Sequence, residues 1–536
     1  MLKSAAKLLK NFDISKKSCN FVADFMITAM KIRISLVAIL LFAVEMSAQV
    51  HISIPDSSTW SGQSLSAYVG QTVIFDMPMV VCSNANGKYT VSPWRRFQPE
   101  NQGVLGSAEY NETVRINSSC MFSLSGVSGY HRCGEKIYHL KATVTSTSSL
   151  SMSGGTWVGN TRAELEAGLP DLGPYRLLVC GFNLENYFMT TGSMGASNYS
   201  DRQAQRTKVS KALAKINADI YGLVELQQGD EAIAEIVSDL NKNTSGRNYQ
   251  YFHDAISGTF QKVDFVYDAN KVEPINTPVE TNVEVQNRKK MVCFREKATG
   301  EKFIYSINHF KAMNTGGADR RANEAQAVVK LYNSYRQNRS IMDNDVLIMG
   351  DLNCYGKTEP ILVFTESNHM IDLHRAFHAD SSYSYMFSGM ASYIDHAICN
   401  ETLYRQVTGQ AAYHINSDED DKYTYDKSND NTMFRCSDHD PVLVGLRLDS
   451  TLSRPIVPVI NNLEVITKQD QQLIIQNAYT PDQKSYYAIY TINGLLQEQK
   501  EITSSYHRVD LPTLPGMYII YLYFKGTAYP ERFIVR

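Results

Sequence analysis

Apolar runs of strand length alternate with apolar faces of helical spacing between residues 176 and 448, and this alternation constrains the fold more than any other feature. The strand-length runs lie at 177–180, 219–224 and 346–349. The helical faces are formed by Val209, Ala212, Leu213 and Ile216 and by Val328, Val329 and Tyr332. Alternating strands and helices are typical of a layered α/β domain, because each element must bury its apolar face against another. The sequence therefore predicts such a domain over residues 176–448.

Six short polar signatures lie where strands of this domain are predicted to end. They are Phe182-Asn183, Val224-Glu225, Asn308-His309-Phe310-Lys311, Gly350-Asp351-Leu352-Asn353, Ile394-Asp395-His396 and Ser437-Asp438-His439-Asp440-Pro441. We expect these polar groups to converge at one edge of the sheets. Each fragment alone is more often a turn or a surface pair, so the functional interpretation depends on the complete ordered set.

Two carboxylates of this set are candidates for a metal site. Hydrolysis of a phosphodiester needs a cation on the phosphate, a base for water and donors for the charge that develops in the transition state. Carboxylate oxygens suit Mg²⁺, which keeps several waters and takes few protein carboxylates. We therefore predict Glu225 as a ligand of Mg²⁺, with Mn²⁺ and Ca²⁺ as alternative ions, and Asp438 as a second ligand, directly or through water.

The same set supplies a base, its orienting acceptor and several positioning groups. His439 is the predicted general base, because the ordinary pKa of imidazole lies near neutrality. Asp395 is predicted to hold that imidazole in the useful tautomer. Asp351 and Asn353 alternate on an extended segment, so both side chains can face the site. Asp351 would orient water or the leaving oxygen, while Asn353 and Asn183 would donate to phosphoryl oxygens.

Four cationic or protonatable side chains are candidates for contact with the substrate. His309 is predicted to protonate the departing oxygen, with Lys311 nearby as a cation for the phosphate. Arg202 and Arg320 lie beside predicted helices and could grip DNA phosphates. Ordinary cations on a helix surface explain these two arginines equally well.

The ordered set resembles the motifs of the endonuclease/exonuclease/phosphatase superfamily, whose DNase I-like fold packs two β-sheets between layers of helices. The matching stretches are Phe182-Asn183, Glu225, His309, Gly350-Asp351-Leu352-Asn353, Asp395 and Ser437-Asp438-His439. The resemblance implies a four-layer α/β sandwich, Mg²⁺-dependent phosphoester hydrolysis and the roles assigned above. Residues 183–188 and 320–325 are similar to secreted bacterial nucleases, which implies an endonuclease with DNA, or also RNA, as its substrate.

The chain departs from the family pattern at the partner of His309. In DNase I-like relatives an acidic residue before the strand at 265–267 pairs with the corresponding histidine. Residues 259–262 of this chain contain no acid, and only Asp254 and Asp264 flank the position. The general-acid role of His309 therefore has less support than the base role of His439.

Residues 49–175 contain short alternating runs separated by turn clusters, which predicts a small all-β barrel or sandwich. Secreted nucleases of this type commonly carry an OB-fold-like domain at this place. Within it, residues 94–97 are interpreted either as an aromatic and basic nucleic-acid platform or, preferably, as a turn-capping part of the core. Further along, the acidic run 418–421 is interpreted as a solvated loop, with a Ca²⁺ loop as the alternative.

The two ends of the chain carry features of export. Residues 1–48 combine an upstream extension with a predicted signal peptide that starts at Met30, and a membrane anchor is the alternative. Residues 449–460 are a predicted linker, and residues 461–536 are a predicted β-sandwich module. The tail resembles a type IX secretion sorting domain, which implies the type IX machinery as a partner and release or cell-surface attachment; an ordinary β module is the alternative. No stable protein partner is predicted.

The net charge and the cysteine spacing exclude few functional classes of protein. A net charge of −3 excludes a strongly basic nucleic-acid coat protein but not a nuclease. Eight cysteines follow the leader, and their spacing predicts no pairing. Two other functions stay open. One is a phosphodiesterase or phosphatase acting on a phospholipid or inositol phosphate, and the other is a catalytically dead DNA-binding surface module.

Overall fold

The computed structural model of the protein describes residues 49–54 and 62–448, except positions 193, 255, 257, 314–316, 342 and 429. Toward the C-terminus it describes residues 466–469, 472–476, 485–491, 496–502, 506–510, 512, 514, 516–524 and 527–535. The predicted leader within 1–48 and the predicted linker at 449–460 lie outside the described residues. In the part of the chain that is described, no helix is long and apolar enough to cross a membrane.

The described residues of the first domain contain seven strands. They are β1 Val50–Ile52, β2 Thr72–Phe75, β3 Met79–Ala85, β4 Lys88–Ser92, β5 Phe122–Ser125, β6 Lys136–Ser146 and β7 Ser149–Val158. Pairing of β6 with both β3 and β7 closes a ring of five strands in the order β3-β4-β5-β7-β6, and β1 and β2 extend from β6. The described part of this domain is rich in strands but is not all-β as predicted, and the OB-fold assignment stays a prediction.

Helical segments, which the sequence did not indicate here, accompany these strands. They are the 3-10 helix Gly62–Tyr68 and the helices α1 Pro99–Gln102, α2 Ala108–Ser118 and α3 Arg162–Ala167. Ser107 caps α2 by accepting from the Tyr110 N–H, and Thr161 and Glu164 form a capping box on α3. Local capping chemistry therefore explains where α2 and α3 begin.

Where the structure describes it, the central domain contains fifteen strands and six α-helices. The strands are β8 Leu177–Tyr187, β9 Ile220–Gln227, β10 Tyr249–Tyr251, β11 Gln261–Asp268, β12 Val272–Pro274, β13 Val279–Glu280, β14 Lys289–Glu296, β15 Lys302–His309, β16 Val346–Asp351, β17 Ile371–Asp372, β18 Tyr385–Phe387, β19 Met390–Ser392, β20 Asp395–Cys399, β21 Val407–Ala412 and β22 Val442–Leu446. The helices are α4 Tyr199–Ile216, α5 Glu231–Asn243, α6 Ala318–Tyr335, α7 Glu359–Thr365, α8 Leu373–His378 and α9 Glu401–Tyr404. Two short 3-10 helices lie at Ala379–Ser381 and Asp421–Tyr423.

These elements form four layers. One sheet has the order β10-β11-β9-β8-β22-β21, and the other has the order β12-β14-β15-β16-β20-β17, with β13 paired to β14. Val179 and Phe265 of the first sheet pack against Tyr305 and Met349 of the second in one buried core. Helices α4 and α5 cover the outer face of the first sheet, and α6 and α7 cover that of the second. The predicted four-layer α/β sandwich is confirmed.

The acidic run at 418–421 joins the first domain to the central one. Asp418, Glu419 and Asp420 are buried, and arginines of the first domain face the first two of them. The prediction of a solvated loop is therefore wrong for these three residues, and the alternative of a Ca²⁺ loop gains no support, because cationic side chains already neutralise the carboxylates. Only Asp421 keeps an exposed side chain.

The stretch at 94–97 belongs mainly to the interior, as the preferred interpretation holds. Arg96 is buried and donates to the carbonyl of Ser119, and burial lowers the pKa of its guanidinium. Arg95 donates to Asp418, and Trp94 packs against the core of the first domain. These contacts leave little of the stretch for a nucleic-acid platform.

The described strands of the tail form two sheets. They are β23 Ile466–Gln469, β24 Gln472–Gln476, β25 Ser485–Thr491, β26 Leu496–Ile502, β27 Tyr506–Asp510, β28 Gly516–Phe524 and β29 Thr527–Val535. One sheet has the order β23-β24-β27 and the other β26-β25-β28-β29. The elements described in the tail are all strands, whereas the β-sandwich assignment and the role in sorting stay predictions.

Candidate active site

Strand pairing brings the polar signatures to one end of the two sheets. β8 and β9 run parallel, and so do β15 and β16, so the residues that end each pair are neighbours. His309 stands beside Asp351 across β15 and β16, and Asp351 stands opposite Asp395 at the start of the antiparallel strand β20. His439 lies just before β22, which pairs with β8 near Asn183. The predicted convergence is therefore present.

A bulge in β9 turns Glu225 toward this end of the sheet. Leu223 pairs with Asp264 and Leu226 with Lys262, so two residues of β9 face one of β11. Glu225 takes a left-handed conformation with φ of +65°, which is costly for a residue other than glycine and typical of functional sites. Its Oε2 accepts from the backbone N–H of Asn186 at 2.8 Å.

Asp351 is the centre of the amide contacts. Asn183 Nδ2 donates to Asp351 Oδ2 at 3.1 Å, and the backbone N–H of Asn353 donates to Asp351 Oδ1 at 2.8 Å. The Nδ2 of Asn353 donates both to Asp351 Oδ2 and to the carbonyl of Phe310. Both of its amide hydrogens are engaged, so the geometry favours a positioning role for Asn353 over the predicted contact with a phosphoryl oxygen.

His439 and Asp395 lie in hydrogen-bond contact as predicted, and their roles as base and orienting acid stay predictions. His439 Nδ1 lies 2.8 Å from Asp395 Oδ2, while Nε2 faces Asp438 Oδ1 at 3.9 Å and Asp351 Oδ2 at 4.0 Å. Burial lowers the pKa of His439, but Asp395 and Asp438 together outweigh burial and hold this pKa well above its ordinary value. A divalent cation among the carboxylates would oppose that rise and favour the neutral imidazole that a base requires.

The surroundings of His309 lower its pKa, whereas those of His439 raise it. His309 Nε2 lies 3.6 Å from Glu225 Oε1 and 3.7 Å from Asp351 Oδ2, and its buried Nδ1 has no hydrogen-bond partner among the described residues. Burial and the neighbouring Arg288 hold its pKa well below the ordinary value, so the ring is neutral at neutral pH. A neutral imidazole can donate a hydrogen bond or bind a metal but supplies no readily lost proton, which weakens the predicted general-acid role.

The acids that flank the missing partner of His309 are engaged elsewhere. Asp264 Oδ2 accepts from Lys262 at 2.8 Å and lies 3.5 Å from Lys290, while Asp254 Oδ2 accepts from Lys290 at 3.2 Å. The departure from the family pattern that the sequence indicated is therefore visible in these contacts.

Among the residues that the structure describes, two groups of side chains could hold a metal ion. One is Glu225, His309 and Asp351, and the other is Asp351, Asp395 and His439, each with its ligand atoms within 4.8 Å of one another. Burial raises the pKa of Glu225 and raises that of Asp351 to about 7, as expected for carboxylates that lack a neutralising cation. Hard carboxylate oxygens with one imidazole fit a divalent ion. Asp438, the other predicted ligand, lies outside both groups.

The predicted substrate cations are placed unequally. Arg320 is about half exposed, with its Nε 3.8 Å from Glu284. Lys311 follows His309 at the end of β15, and its backbone N–H donates to Glu324. Arg202 is buried, and its guanidinium donates to Glu235 at 2.5 Å, so its contacts give no support to a role in gripping phosphate.

Several neighbours of the site escaped the sequence analysis. Ser384 Oγ donates to Asp395 Oδ2 at 2.7 Å, and the Tyr385 ring centre lies 4.8 Å from that of His439. A cleft of about 400 Å³ opens beside Asp438 and is lined by Glu185, Tyr385 and Arg435, among others. Glu185 lies in a stretch already noted as nuclease-like, but no signal marked Ser384 or Tyr385.

Comparison with known proteins places the central domain in a family. Residues 180–439 match the model of the Endonuclease/Exonuclease/phosphatase family. Among curated proteins, none matches the sequence.

Solved structures similar to the chain include three that cover its central half. An endonuclease/exonuclease/phosphatase family protein from Bacteroides thetaiotaomicron is 17% identical, with 52% of this chain and 99% of that one covered and a TM-score of 0.38. The catalytic domain of human Nocturnin with bound sulfate is 14% identical, with 51% and 94% covered and a TM-score of 0.37. A mannosyl-6-phosphatase from Bacteroides thetaiotaomicron is 17% identical, with 51% and 99% covered and a TM-score of 0.36.

Proposed function

We propose that residues 180–439, which match the model of the endonuclease/exonuclease/phosphatase family of phosphoester hydrolases, form a divalent-metal-dependent endonuclease acting on DNA. RNA is a second candidate substrate. The observation that carries the proposal is the His439–Asp395 pair, whose free ring nitrogen faces the carboxylates of Asp351 and Asp438. A base directed at a cluster of candidate metal ligands is the arrangement that hydrolysis of a phosphodiester requires.

His439 is placed to take the proton from the attacking water. With Nδ1 bound to Asp395, the neutral ring carries its hydrogen on Nδ1 and a lone pair on Nε2, the nitrogen that faces the carboxylate cluster. Asp395 also accepts from Ser384, so it stays fixed while the imidazole becomes charged. General-base catalysis by such a group contributes roughly 10²–10⁴-fold to the rate.

Glu225, His309 and Asp351 would hold the divalent ion. When bound, the ion supplies positive charge that offsets the negative charge of the phosphate. Asn183 Nδ2 donates to Asp351, and its side chain also hydrogen-bonds to Glu225, so Asn183 would position two of the candidate ligands. The cleft beside Asp438 gives the nucleic acid access, and the exposed Lys427 on its wall can meet an adjacent phosphate.

The decisive experiment incubates the full chain with supercoiled plasmid in Mg²⁺ and in EDTA. We expect nicking in Mg²⁺, none in EDTA, and a loss of at least about 100-fold in His439→Ala. The matched control is His253→Ala, because His253 also pairs with an aspartate but is exposed. Intact plasmid in Mg²⁺, or nicking that survives His439→Ala, would contradict the proposal. Release of inorganic phosphate or phosphocholine instead would assign the domain to phosphomonoesters or phospholipids, and DNA retention without turnover would make it a binding module.

We further propose that the enzyme is exported and released or held at the cell surface through the type IX machinery. The support is the predicted signal peptide from Met30 and the resemblance of residues 461–536 to a sorting domain. N-terminal sequencing of the exported protein should begin at Gln49. Retention of the full chain in the cytoplasm would contradict export.

A further inference from the structure

We propose that Arg95, Arg132 and Arg162 of the first domain are positioning residues for hydrolysis, because they hold the loop that carries His439. We call the described residues 413–428 and 430–441 the histidine loop. The inference rests on the proposed catalytic role of His439, and it gives the first domain a part in the active site beyond that of an accessory module.

Among the described residues, four ion pairs fix the histidine loop to the first domain, and one of them joins Arg162 Nη1 to Asp430 Oδ2 at 2.9 Å. Arg95 Nη2 donates to Asp418 at 2.5 Å, and Glu419 lies 2.6 Å from both Arg132 Nε and Arg162 Nη2. The side chains of Asp418 and Glu419 are 0% exposed. Breaking a buried pair by removing one partner is strongly destabilising, because it leaves the other charge uncompensated. The junction can therefore separate only at high cost.

Neutral side chains donate further hydrogen bonds to the carboxylates of Asp418 and Glu419. Asp418 Oδ2 accepts from Asn160 at 2.8 Å and from Tyr383 at 2.7 Å, and Glu419 Oε2 accepts from Tyr130 at 2.7 Å. Although burial raises the pKa of Asp418, Arg95 and its other neighbours outweigh burial and hold this pKa below the ordinary value. The carboxylate is thus ionised and held from both domains.

The residues just before Asp418 hold the residues around His439. Asn416 Nδ2 donates to the His439 carbonyl at 2.6 Å. The Asp440 carboxylate accepts from the backbone N–H groups of Asn416 at 2.8 Å and Ser417 at 2.9 Å. The arginine-bound segment and the catalytic segment therefore form one hydrogen-bonded unit.

A second route connects the first domain to Asp395. Ala391 of β19 donates its N–H to the Arg96 carbonyl at 2.8 Å and accepts from the Gln98 N–H at 2.9 Å. Strands β18 and β19 form a hairpin, and Ser384 lies just before it. The Ser384 carbonyl accepts from the Asp440 N–H, and the Ser384 hydroxyl donates to Asp395. The first domain thus braces both members of the catalytic pair. Misplacement of a catalytic group by about 1 Å can cost on the order of 10² in rate.

The test compares Arg95→Met with Arg247→Met in the full chain. Arg247 pairs with Asp219 and, at 3.0 Å, with Asp268, at the opposite end of β9 from Glu225. Arg247→Met therefore removes a comparable ion pair away from the site. Measured for each variant are kcat and KM for plasmid cleavage, the Tm, and hydrogen exchange of the amides in the histidine loop.

We expect Arg95→Met to speed exchange in the histidine loop and to lower kcat by about 10- to 100-fold, with KM changed less than about 2-fold. Arg95→Lys should recover part of the rate. Arg247→Met should lower the Tm and leave kcat unchanged. Should Arg95→Met not fold, Arg162→Met is measured in its place, because Arg162 is more exposed.

Unchanged exchange in the histidine loop, an unchanged kcat, or an equal loss of kcat in Arg247→Met would overturn the inference. The exchange measurement does not need turnover. If the wild-type chain cleaves no substrate, the proposed function fails, and hydrogen exchange still decides whether the arginines hold the histidine loop.

Discussion

At the scale of single residues, the site is defined by two histidines with opposite surroundings. His439 faces three carboxylates that hold its pKa high, whereas His309 is buried beside Arg288 with its pKa held low. Groups whose surroundings push their pKa values apart are typical of acid–base chemistry. The sequence alone placed both residues in the site but assigned His309 a proton that its surroundings do not favour.

The raised pKa of Asp351 predicts a pH-dependent stability of the metal-free protein. Burial raises this pKa from 3.8 to about 7. Between these values the unfolded chain ionises Asp351 more readily than the folded one, so the free energy of unfolding falls as pH rises from about 4 to about 7. In EDTA, Asp351→Asn should remove part of this fall, which urea denaturation at several pH values measures.

Excess Mg²⁺ is the control for that measurement, because a bound cation stabilises the ionised carboxylate. The difference in unfolding free energy between Mg²⁺ and EDTA should therefore grow as pH rises. The prediction fails if, in EDTA, the free energy of unfolding depends on pH in the same way for wild type and for Asp351→Asn. Burial would then not raise the pKa of Asp351.

At the scale of the element, the end of strand β16 must place Asp351 in the site while it lies close to the backbone of β15. Gly350 has φ of +120°, and a Cβ at this position would lie 2.0 Å from the carbonyl oxygen of Asn308 on β15. Gly350→Ala should therefore displace the end of β16, cost more than about 3 kcal/mol and abolish activity. Chemical denaturation and the plasmid assay measure the two effects.

Gly300→Ala is the matched control for Gly350→Ala. Gly300 has φ of +81° in the turn between β14 and β15, and a Cβ added there would have nothing within 4 Å of it among the described residues. Its replacement should cost only the left-handed conformation, about 1–2 kcal/mol, and leave activity intact. Equal stability losses in the two variants would refute the predicted clash at the end of β16.

The elements also show what sequence reasoning can reach. Apolar periodicity placed β8, β9 and β16 and the helices α4 and α6, because each buries a continuous apolar face. The bulge at Glu225 depends on its partner strand and carries no local signal. The burial of Asp418 was missed because its partner Arg95 is 323 residues away in sequence. The predicted solvated loop at 418–421 was therefore wrong because an ion pair between residues distant in sequence cannot be inferred from a local pattern.

At the scale of the whole molecule, the first domain contacts the central domain around the pair of His439 and Asp395. The first domain supplies buried cations to the histidine loop and a strand-like contact between Phe97 and Ala391. We therefore expect the two domains to unfold in one transition, and the substitutions at the junction to affect catalysis as well as stability. The family match covers only residues 180–439, so this shared site could not be found from the family alone.

The most direct test of the central claim is the rate of plasmid cleavage by the full chain as Mg²⁺ is titrated from zero, for wild type and for Asp351→Asn. Asp351 belongs to both candidate metal groups, so it is the residue on which the claim most depends. We predict a saturable rise from no cleavage in EDTA, and a loss of at least about 100-fold in a folded Asp351→Asn protein. Cleavage that persists without metal, or an Asp351→Asn protein as active as wild type, would contradict the account.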